Sequence, residues 1–507
     1  MKQRVSEVVT IDEIKKWHEG DIITIKAGTG VGKSYFIKNN LYAFAKANKK
    51  KILILIHRTN CIEQFKAEIY KDHKSNVIDI MSYQKIEALY KHNKSFNFDI
   101  YDYVISDEFH YYMSDAAFNI TTDISFNAII GQSNVVKIFM SATGDYMKTY
   151  INNRKKISTI DYELPITYDF IKNLTFFTKD ETMEKFIEEA IDKKDKGIFF
   201  IQSAEKAYDL YKKYEDHCLF NCSKNNDKYY KYVDSDKINE MLKNEKFEEQ
   251  FLITTTCLDA GVNIKDDDVK HVVIDNKDLG SLIQCMGRKR LKDNNDKIYV
   301  YIKGINNRQL GGMETQLKKK IKMADYLMKH TVKEFIEQYP RQYDHNSIVY
   351  NDTVNEVDKG TLKVNDLMYA KCNTNLCDIE FMKLRGEFGY YKYLAHMFGF
   401  QDTETGKYKY RTIEENWRAL EVEEYLESII GQQIYKDKQK EIVEIIGLKD
   451  ARGRLQKSIG QLNEYLKANK IKYMLINKKD NRKKLDNDKD NPNRGKHYWE
   501  VVKIIIE

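Results

Sequence analysis

Apolar residues enter this chain in short unbroken runs rather than in alternation. The runs IITIK from Ile22, ILILI from Ile52, VIDIM from Val77, YVIS from Tyr103 and VVKIFMS from Val135 read as strands buried on both faces. A strand with one wet face would alternate instead. Helical patterns over 33–47 and 60–70 lie between them, which is the alternation of a parallel sheet covered by helices. The segment 159–165, TIDYELP, holds one of only three prolines and reads as a linker. The pattern then restarts with GIFFIQ from Gly197, FLITTT from Phe251, VKHVVID from Val269 and IYVYI from Ile298.

Beyond residue 310 the periodicity changes. The stretch 315–339 reads as a helix stopped by Pro340, followed by a mixed, aromatic-rich connector to about 435 with no recognisable chemistry. Near the end, Leu455, Ile459, Leu462 and Leu466 share one face of a helix expected over 450–469, with Arg452, Arg454 and Lys457 off that face. Two strand-like runs follow, IKYMLI from Ile471 and HYWEVVKIII from His497, joined by a charged loop over 477–496. Helix, then hairpin, is the order of a winged helix-turn-helix. The chain therefore reads as an α/β protein of tandem parallel-sheet lobes over 1–162 and 163–310. A mixed helical connector over 311–435 and a small, basic, winged-helix-like domain over 436–507 complete it.

Composition narrows the setting. At 507 residues the chain is too long for one core, and 42% hydrophobic residues suffice for several. No run of about 18 apolar residues offers a membrane span, and charge interrupts the N-terminus before a signal sequence could form. Seven scattered cysteines without a C-x-x-C pair fit a reducing cytoplasm and neither a disulfide framework nor a zinc site. Abundant Lys, Asn, Ile and Tyr with three prolines point to an A+T-rich bacterial or phage genome. The net charge of +7 is concentrated at the end: residues 449–507 carry 16 Lys/Arg against 8 Asp/Glu. Such a surface suits a polyanion, and a solubilising tail is equally compatible with composition alone.

The chemistry-bearing segments are local. AGTGVGKS over 27–34 follows a strand and opens a helix. Glycines 28, 30 and 32 let backbone N–H groups turn around phosphate oxygens. Lys33 reaches the β- and γ-phosphates, and the Ser34 hydroxyl offers a ligand to Mg²⁺. Ala27 occupies the position usually held by glycine. Asp107-Glu108-Phe109-His110 directly follows the strand at Tyr103, and carboxylates at that end of a parallel sheet lie beside the ligand crevice. Asp107 suits Mg²⁺, and Glu108 the orientation and deprotonation of an attacking water. His57, His73 and His92 have no ligand spacing and read as surface residues. Tyr111–Tyr112 and Tyr390–Tyr391 can stack on bases. In a chain with 36 tyrosines they read first as core.

With Ser141-Ala142-Thr143, these segments resemble motifs I, II and III of superfamily 2 helicases of the DExH type. TTTCLDAGVNI from Thr254 resembles motif V, with Thr255 and Gly261 in register and Asn263 where many members carry Asp. QCMGRKR from Gln284 resembles motif VI, with Gln284, Gly287 and Arg288 in register. Arg290 follows Arg288 by two residues, as in the RNA-sensing DExH relatives, where many members space the arginines by three. Arg58 stands at a motif Ia position, Ser82-Tyr83-Gln84 in the Ib/Ic region, and GIFFIQS from Gly197 at motif IV. The resemblance spans roughly residues 20–305 and lacks the Phe-plus-Gln signature of the DEAD-box subgroup.

The resemblance implies two RecA-like lobes with ATP and Mg²⁺ between them. Phosphate loop residues Ala27, Gly28, Thr29, Gly30, Val31, Gly32, Lys33 and Ser34 would hold the nucleotide with Gly261 and Asn263. Lys33, Asp107, Glu108, Gln284, Arg288 and Arg290 would serve hydrolysis, with Mg²⁺ on Ser34 and Asp107. His110, Ser141 and Thr143 would couple nucleotide state to grip, and Arg58, Ser82 and Thr255 would touch a single strand. Duplex contacts are expected from Arg452, Arg454, Lys457, Lys483 and Lys484 on charge placement. A DNA helicase or translocase in replication, repair or mobile-element biology is the favoured reading. An RNA-directed DExH ATPase and an ATP-switched DNA-binding assembly or regulatory factor are its alternatives.

Overall fold

In the computed structural model the unbroken apolar runs become the central strands of two parallel sheets. Residues 3–28, 30–117, 119–258, 262–293, 295–341, 348–352, 361–450, 454–484 and 489–504 are described. The first sheet comprises β1 (Ile22–Lys26), β2 (Ile52–Ile56), β3 (Ile78–Ser82), β4 (Tyr103–Asp107), β5 (Val136–Ser141) and β6 (Ile160–Glu163). Their order is β3–β2–β4–β5–β1–β6, and every described pairing is parallel. The inner strands are buried along nearly their whole length, which is why they do not alternate.

The expected linker at 159–165 is a strand. β6 closes the sheet beside β1, with Ile23 opposite Ile160 and Lys26 opposite Glu163. Its residues are mostly exposed, as befits an edge strand guarded by charge. Thr24 donates to Asp161 at 2.6 Å, and the Trp17 indole N–H donates to the Tyr162 hydroxyl at 3.1 Å. These side chains stitch a polar strand to the sheet without a hydrophobic signature. The helix expected over 33–47 is continuous but underwinds locally: α-helix over Lys33–Tyr35, π-helix over Phe36–Leu41, α-helix over Tyr42–Ala47.

The second lobe holds β7 (Ile171–Phe177), β8 (Lys196–Ile201), β9 (Cys218–Asn221), β10 (Phe251–Thr254), β11 (Val269–Asp275) and β12 (Ile298–Lys303). They lie in the order β7–β12–β11–β8–β10–β9, so the chain forms two tandem RecA-like α/β lobes. β7 and the four-residue β9 are additions to the expected strands.

The chain divides into two compact units. One comprises Met1–Leu174 and Lys179–Tyr410, the other Thr175–Thr178 and Arg411–Glu507. Apart from Thr175–Phe177 of β7, both lobes belong to the first, together with a short hairpin of β13 (Val349–Asp352) and β14 (Thr361–Val364). Four helices join them there: Asn307–Lys329, Val332–Gln338, Asp366–Leu384 and Gly389–Met397. Met323, Ala324, Leu327, Phe335, Leu367 and Cys372 from this region share a core with Tyr112, Phe126 and Phe139 of the first lobe. Among the described residues no helix is long and apolar enough to cross a membrane.

In the second unit, β15 (Arg411–Thr412) pairs in parallel with Thr175 and Phe176. Helices Ile413–Ser428, Lys436–Ile446 and Ile459–Ala468 follow, then an antiparallel ribbon of β16 (Tyr473–Lys479) and β17 (His497–Lys503). Ile434 exchanges two backbone hydrogen bonds with Trp499, both 2.9 Å, a single bridge onto the ribbon. Val422, Leu426, Ile442, Leu462, Leu466, Leu475 and Val501 form its core.

The helix expected over 450–469 starts only at Ile459, so Arg454 and Lys457 precede it. Asp450 and Arg454 exchange backbone and side-chain bonds, and Lys449 bridges Leu455. That closed turn uses the backbone groups a helix would need. Arg452 lies outside the described residues.

Candidate active site

The phosphate loop connects β1 to the helix at Lys33. Gly30 and Gly32 hold φ of 79° and 90°, a left-handed backbone that a side chain would strain. The loop is braced at both ends: the Ala27 N–H donates to the Ser141 carbonyl at 3.1 Å, and the Val5 N–H to the Val31 carbonyl at 3.0 Å. Ser34 is exposed at the mouth of the loop. Thr29 and Gly261 lie outside the described residues.

Lys33 Nζ sits 3.2 Å from Glu108 Oε1 and 3.2 Å from the Ala27 carbonyl. Asp107 ends β4, and the chain turns sharply at Glu108, whose φ is 53°. A non-glycine residue there costs on the order of 1–3 kcal/mol. Partners on three sides hold it in place: Ser141 Oγ at 3.2 Å, His110 Nδ1 at 3.3 Å and Gln284 Nε2 at 3.5 Å, all on Oε2. Burial alone would favour the neutral carboxyl. The charges and bonds of Lys33, His110 and Arg288 outweigh it and hold Glu108 well below the ordinary glutamate range. Asp107 moves the other way, raised by burial and by the adjacent Glu108 charge. Its Oδ1 is buried with no hydrogen-bond partner. An orphaned carboxylate oxygen beside the phosphate loop fits a hard cation that it would ligate.

The second lobe delivers its arginines through one short bridge. The Ile264 N–H donates to the Arg288 carbonyl at 2.9 Å and the Arg290 N–H to the Ile264 carbonyl at 2.8 Å. Lys289 buries against Asp296 at 3.0 Å, whereas its neighbours Arg288 and Arg290 bond to Gln284 and Asn263. Arg288 donates to the Gln284 side-chain oxygen at 2.6 Å and to its carbonyl at 3.2 Å. Arg290 Nε donates to Asn263 Oδ1 at 2.6 Å. A methyl group on Gly30 would lie 3.7 Å from Arg290 Nη1, so this guanidinium reaches the first lobe's phosphate loop. Burial and the Arg288 charge lower Arg290 to about 10, which leaves it charged at neutral pH.

The expected coupling residues form one network. His110 Nδ1 and Ser141 Oγ are 2.8 Å apart, and the Thr143 N–H donates to Ser141 Oγ at 3.0 Å. Phe109 packs so closely on Gly144 that a methyl group there would fall 2.3 Å from its ring. His57, expected at the surface, is buried: its ring stacks on Tyr111 at 5.2 Å and meets His110 edge-on at 6.4 Å. Burial and the Arg58 charge hold it well below the ordinary histidine value, hence neutral. Tyr111, Tyr112, Tyr390 and Tyr391 are core residues.

The expected strand contacts are less assembled. Arg58, Ser82 and Thr255 lie at the carboxyl ends of β2, β3 and β10, the edge where parallel sheets bind ligands. Ser82 Oγ is engaged as a helix cap by the Lys85 N–H at 3.1 Å, and Thr255 is buried.

Several contributors escaped the sequence. The Tyr83 hydroxyl donates to the Asp107 carbonyl at 2.8 Å. From the helix Asp366–Leu384, Lys371 contacts both lobes, donating to the Ser114 carbonyl at 2.8 Å and lying 3.3 Å from Asp278. Asp378 on the same helix accepts from Tyr146 at 2.7 Å and Tyr393 at 3.1 Å. These residues line a cavity of about 330 Å³ behind His110 and Thr143. No local spacing marks Lys371, Asp378 or Asp296 as special.

No protein-family model matches the chain, and no curated protein matches it in sequence. Among solved structures it is similar to Mss116p (NTE and C-tail double deletion) bound to ssRNA and AMP-PNP, at 16% identity and a TM-score of 0.43. That match covers 58% of this chain and 68% of the other. It is also similar to Dbp5 of S. cerevisiae bound to RNA and ADP BeF3, at 14% identity and a TM-score of 0.41, over 56% and 79% of the two chains.

Proposed function

We propose that this protein is a nucleic-acid-dependent ATPase, a superfamily 2 helicase or translocase of the DExH type that binds ATP between its two lobes. One observation carries the reading. The phosphate loop and Glu108 from the first lobe meet Gln284, Arg288 and Arg290 from the second, with the Glu108–Gln284 contact at 3.5 Å.

Lys33 Nζ lies 3.2 Å from Glu108 Oε1. An arriving triphosphate competes for Lys33 through stronger charge-assisted bonds and leaves Glu108 ionised beside the γ-phosphate. Glu108 then orients the attacking water and accepts its proton as the bond to ADP breaks. Arg288 and Arg290 neutralise charge developing on the γ-phosphoryl oxygens, a contribution worth roughly 10³–10⁵ in rate. Ser34 and Asp107 are the residues to hold Mg²⁺, which when bound offsets phosphate charge. Because these groups come from two lobes, hydrolysis depends on lobe closure. His110, Ser141 and Thr143 would relay closure to a strand held across the lobes by Arg58, Ser82 and Thr255. DNA is the polymer we favour.

The test is a pair of variants and a panel of polymers. Lys33→Ala should abolish hydrolysis, while Glu108→Gln should bind ATP normally and lose turnover. Hydrolysis by Glu108→Gln at the wild-type rate removes the catalytic assignment. ATPase rates with no polymer, ssDNA, dsDNA and ssRNA then separate a DNA motor from an RNA-directed one. A rate indifferent to every polymer leaves an ATP-operated switch.

A further inference from the structure

We infer that the second unit grips the phosphate backbone of a nucleic-acid duplex through its ribbon and the flanking segments 478–484 and 489–497. The helix Ile459–Ala468 that precedes the ribbon is then not the principal contact. The inference rests on the nucleic-acid reading above but concerns a different surface.

Three helices, a single bridge at Ile434 and the β16–β17 ribbon would ordinarily make that preceding helix the element laid against DNA. Its chemistry is unsuited to the task. The exposed residues are Gly460, Gln461, Glu464, Lys467 and Ala468, so one acid cancels one base. Asn463, its other polar residue able to read a base, is turned inward. It accepts from the Leu475 N–H and donates to the Leu475 carbonyl, both at 2.9 Å.

The ribbon segments are the opposite case. Lys479, Lys483, Arg494 and Lys496 are exposed and have no carboxylate partner among the described residues. Lys484 and Lys489 are exposed beside them, whereas Lys478 is paired with Glu500 at 2.8 Å.

The backbone that carries these charges is fixed. Asp480 is 1% exposed and accepts from the Tyr435 hydroxyl at 2.7 Å and from Arg482 Nε and backbone N–H, both at 3.1 Å. Its own N–H donates to the Lys496 carbonyl at 2.9 Å, and the Asn491 N–H to the Lys483 carbonyl at 3.1 Å. A merely solubilising tail needs no such frame. Holding like charges in a fixed array costs free energy that a polyanion offsets by releasing its counterions. The charges stand on both arms, Lys479 and Lys483 on one and Arg494 and Lys496 on the other. A duplex, with the denser phosphate charge, returns more counterion per contact than a single strand.

The test uses the full chain and titrates salt against its affinity for duplex DNA, duplex RNA and ssDNA. Replacing Lys479, Lys483, Arg494 and Lys496 together by Gln should make the log–log salt slope for duplex shallower by about 3 to 4, from about 0.9 per phosphate. Lys at position 494 and Arg at the three lysine positions should restore it, and Lys467→Gln should leave it unchanged. Circular dichroism checks that every variant is folded. The two duplex arms decide which duplex is held. An unchanged slope in the fourfold variant overturns the inference, as does an equal loss for ssDNA and duplex. If duplex binding behaves as expected while no polymer stimulates ATPase, the motor reading fails and this one stands. If ssDNA stimulates ATPase while duplex is not bound through these residues, the outcome is reversed.

Discussion

The two lobes share one architecture and carry opposite chemistry at corresponding places. In the first lobe the strand ends present a phosphate loop and two carboxylates, with Lys33 paired to Glu108. In the second, a bridge between Ile264 and Lys289 presents two guanidinium groups, one held by Gln284 and one by Asn263. On the proposed reading the first lobe would hold a nucleotide and a water, and the second would meet charge that develops later. Groups that bind the ground state move affinity, whereas groups matched to the transition state move turnover. On that reading, dividing them between lobes would make turnover conditional on closure.

That division is open to direct attack. The largest effect should come from Arg288→Ala and Arg290→Ala. Each should lower kcat by about 10³-fold or more while leaving the affinity for a fluorescent ATP analogue nearly intact. If Arg288→Ala loses nucleotide affinity as Lys33→Ala does, the two lobes do not divide the work this way.

A second test addresses what aims the arginines. Burial opposes ionisation of Asp296, but Lys270 and Lys289 outweigh it and bring the carboxyl to about 2. The Lys289 side chain is fully buried against it. Asp296→Asn leaves that ammonium uncompensated and should destabilise the fold by roughly 3–5 kcal/mol in denaturant titration. The wild-type contribution has a defined pH sign. The folded pKa lies below the unfolded value of about 3.9, so the stability is present above that value and lost as pH falls toward 2. If Asp296→Asn matched wild-type stability at neutral pH, the anchor would be unnecessary.

The smallest effect should come from Asn263→Ala, which frees Arg290 without removing its charge. A drop in kcat of about tenfold, with nucleotide affinity retained, is expected for a group misplaced by a fraction of an ångström. A weakened nucleotide affinity would instead make Asn263 a direct ligand of ATP.

Much of the scaffold was legible because parallel strands covered on both faces leave continuous apolar runs. Ile52–Ile56 and Val136–Ser141 are such cases. β6 was not legible, since an edge strand of exposed residues carries no such run. Nor was the true start of the helix at Ile459, where the apolar face continues upstream to Leu455 although the backbone is committed to a turn. Hydrophobic spacing reports which face is buried, not where hydrogen bonding begins.

The same distinction separates the two halves of the site. The proposed phosphate loop and Asp107-Glu108 are runs of contiguous residues, and a loop and a strand end position their own neighbours. By itself the sequence determined the two lobes, those segments and the concentration of positive charge near the chain's end. Only the tertiary structure decided that Arg290 approaches Gly30, that Lys289 faces away toward Asp296, and that His57 is buried. It likewise placed Lys371, from a helix without recognisable chemistry, in contact with both lobes. These outcomes depend on where separate elements come to rest, and burial and pairing are properties of that arrangement rather than of any local pattern.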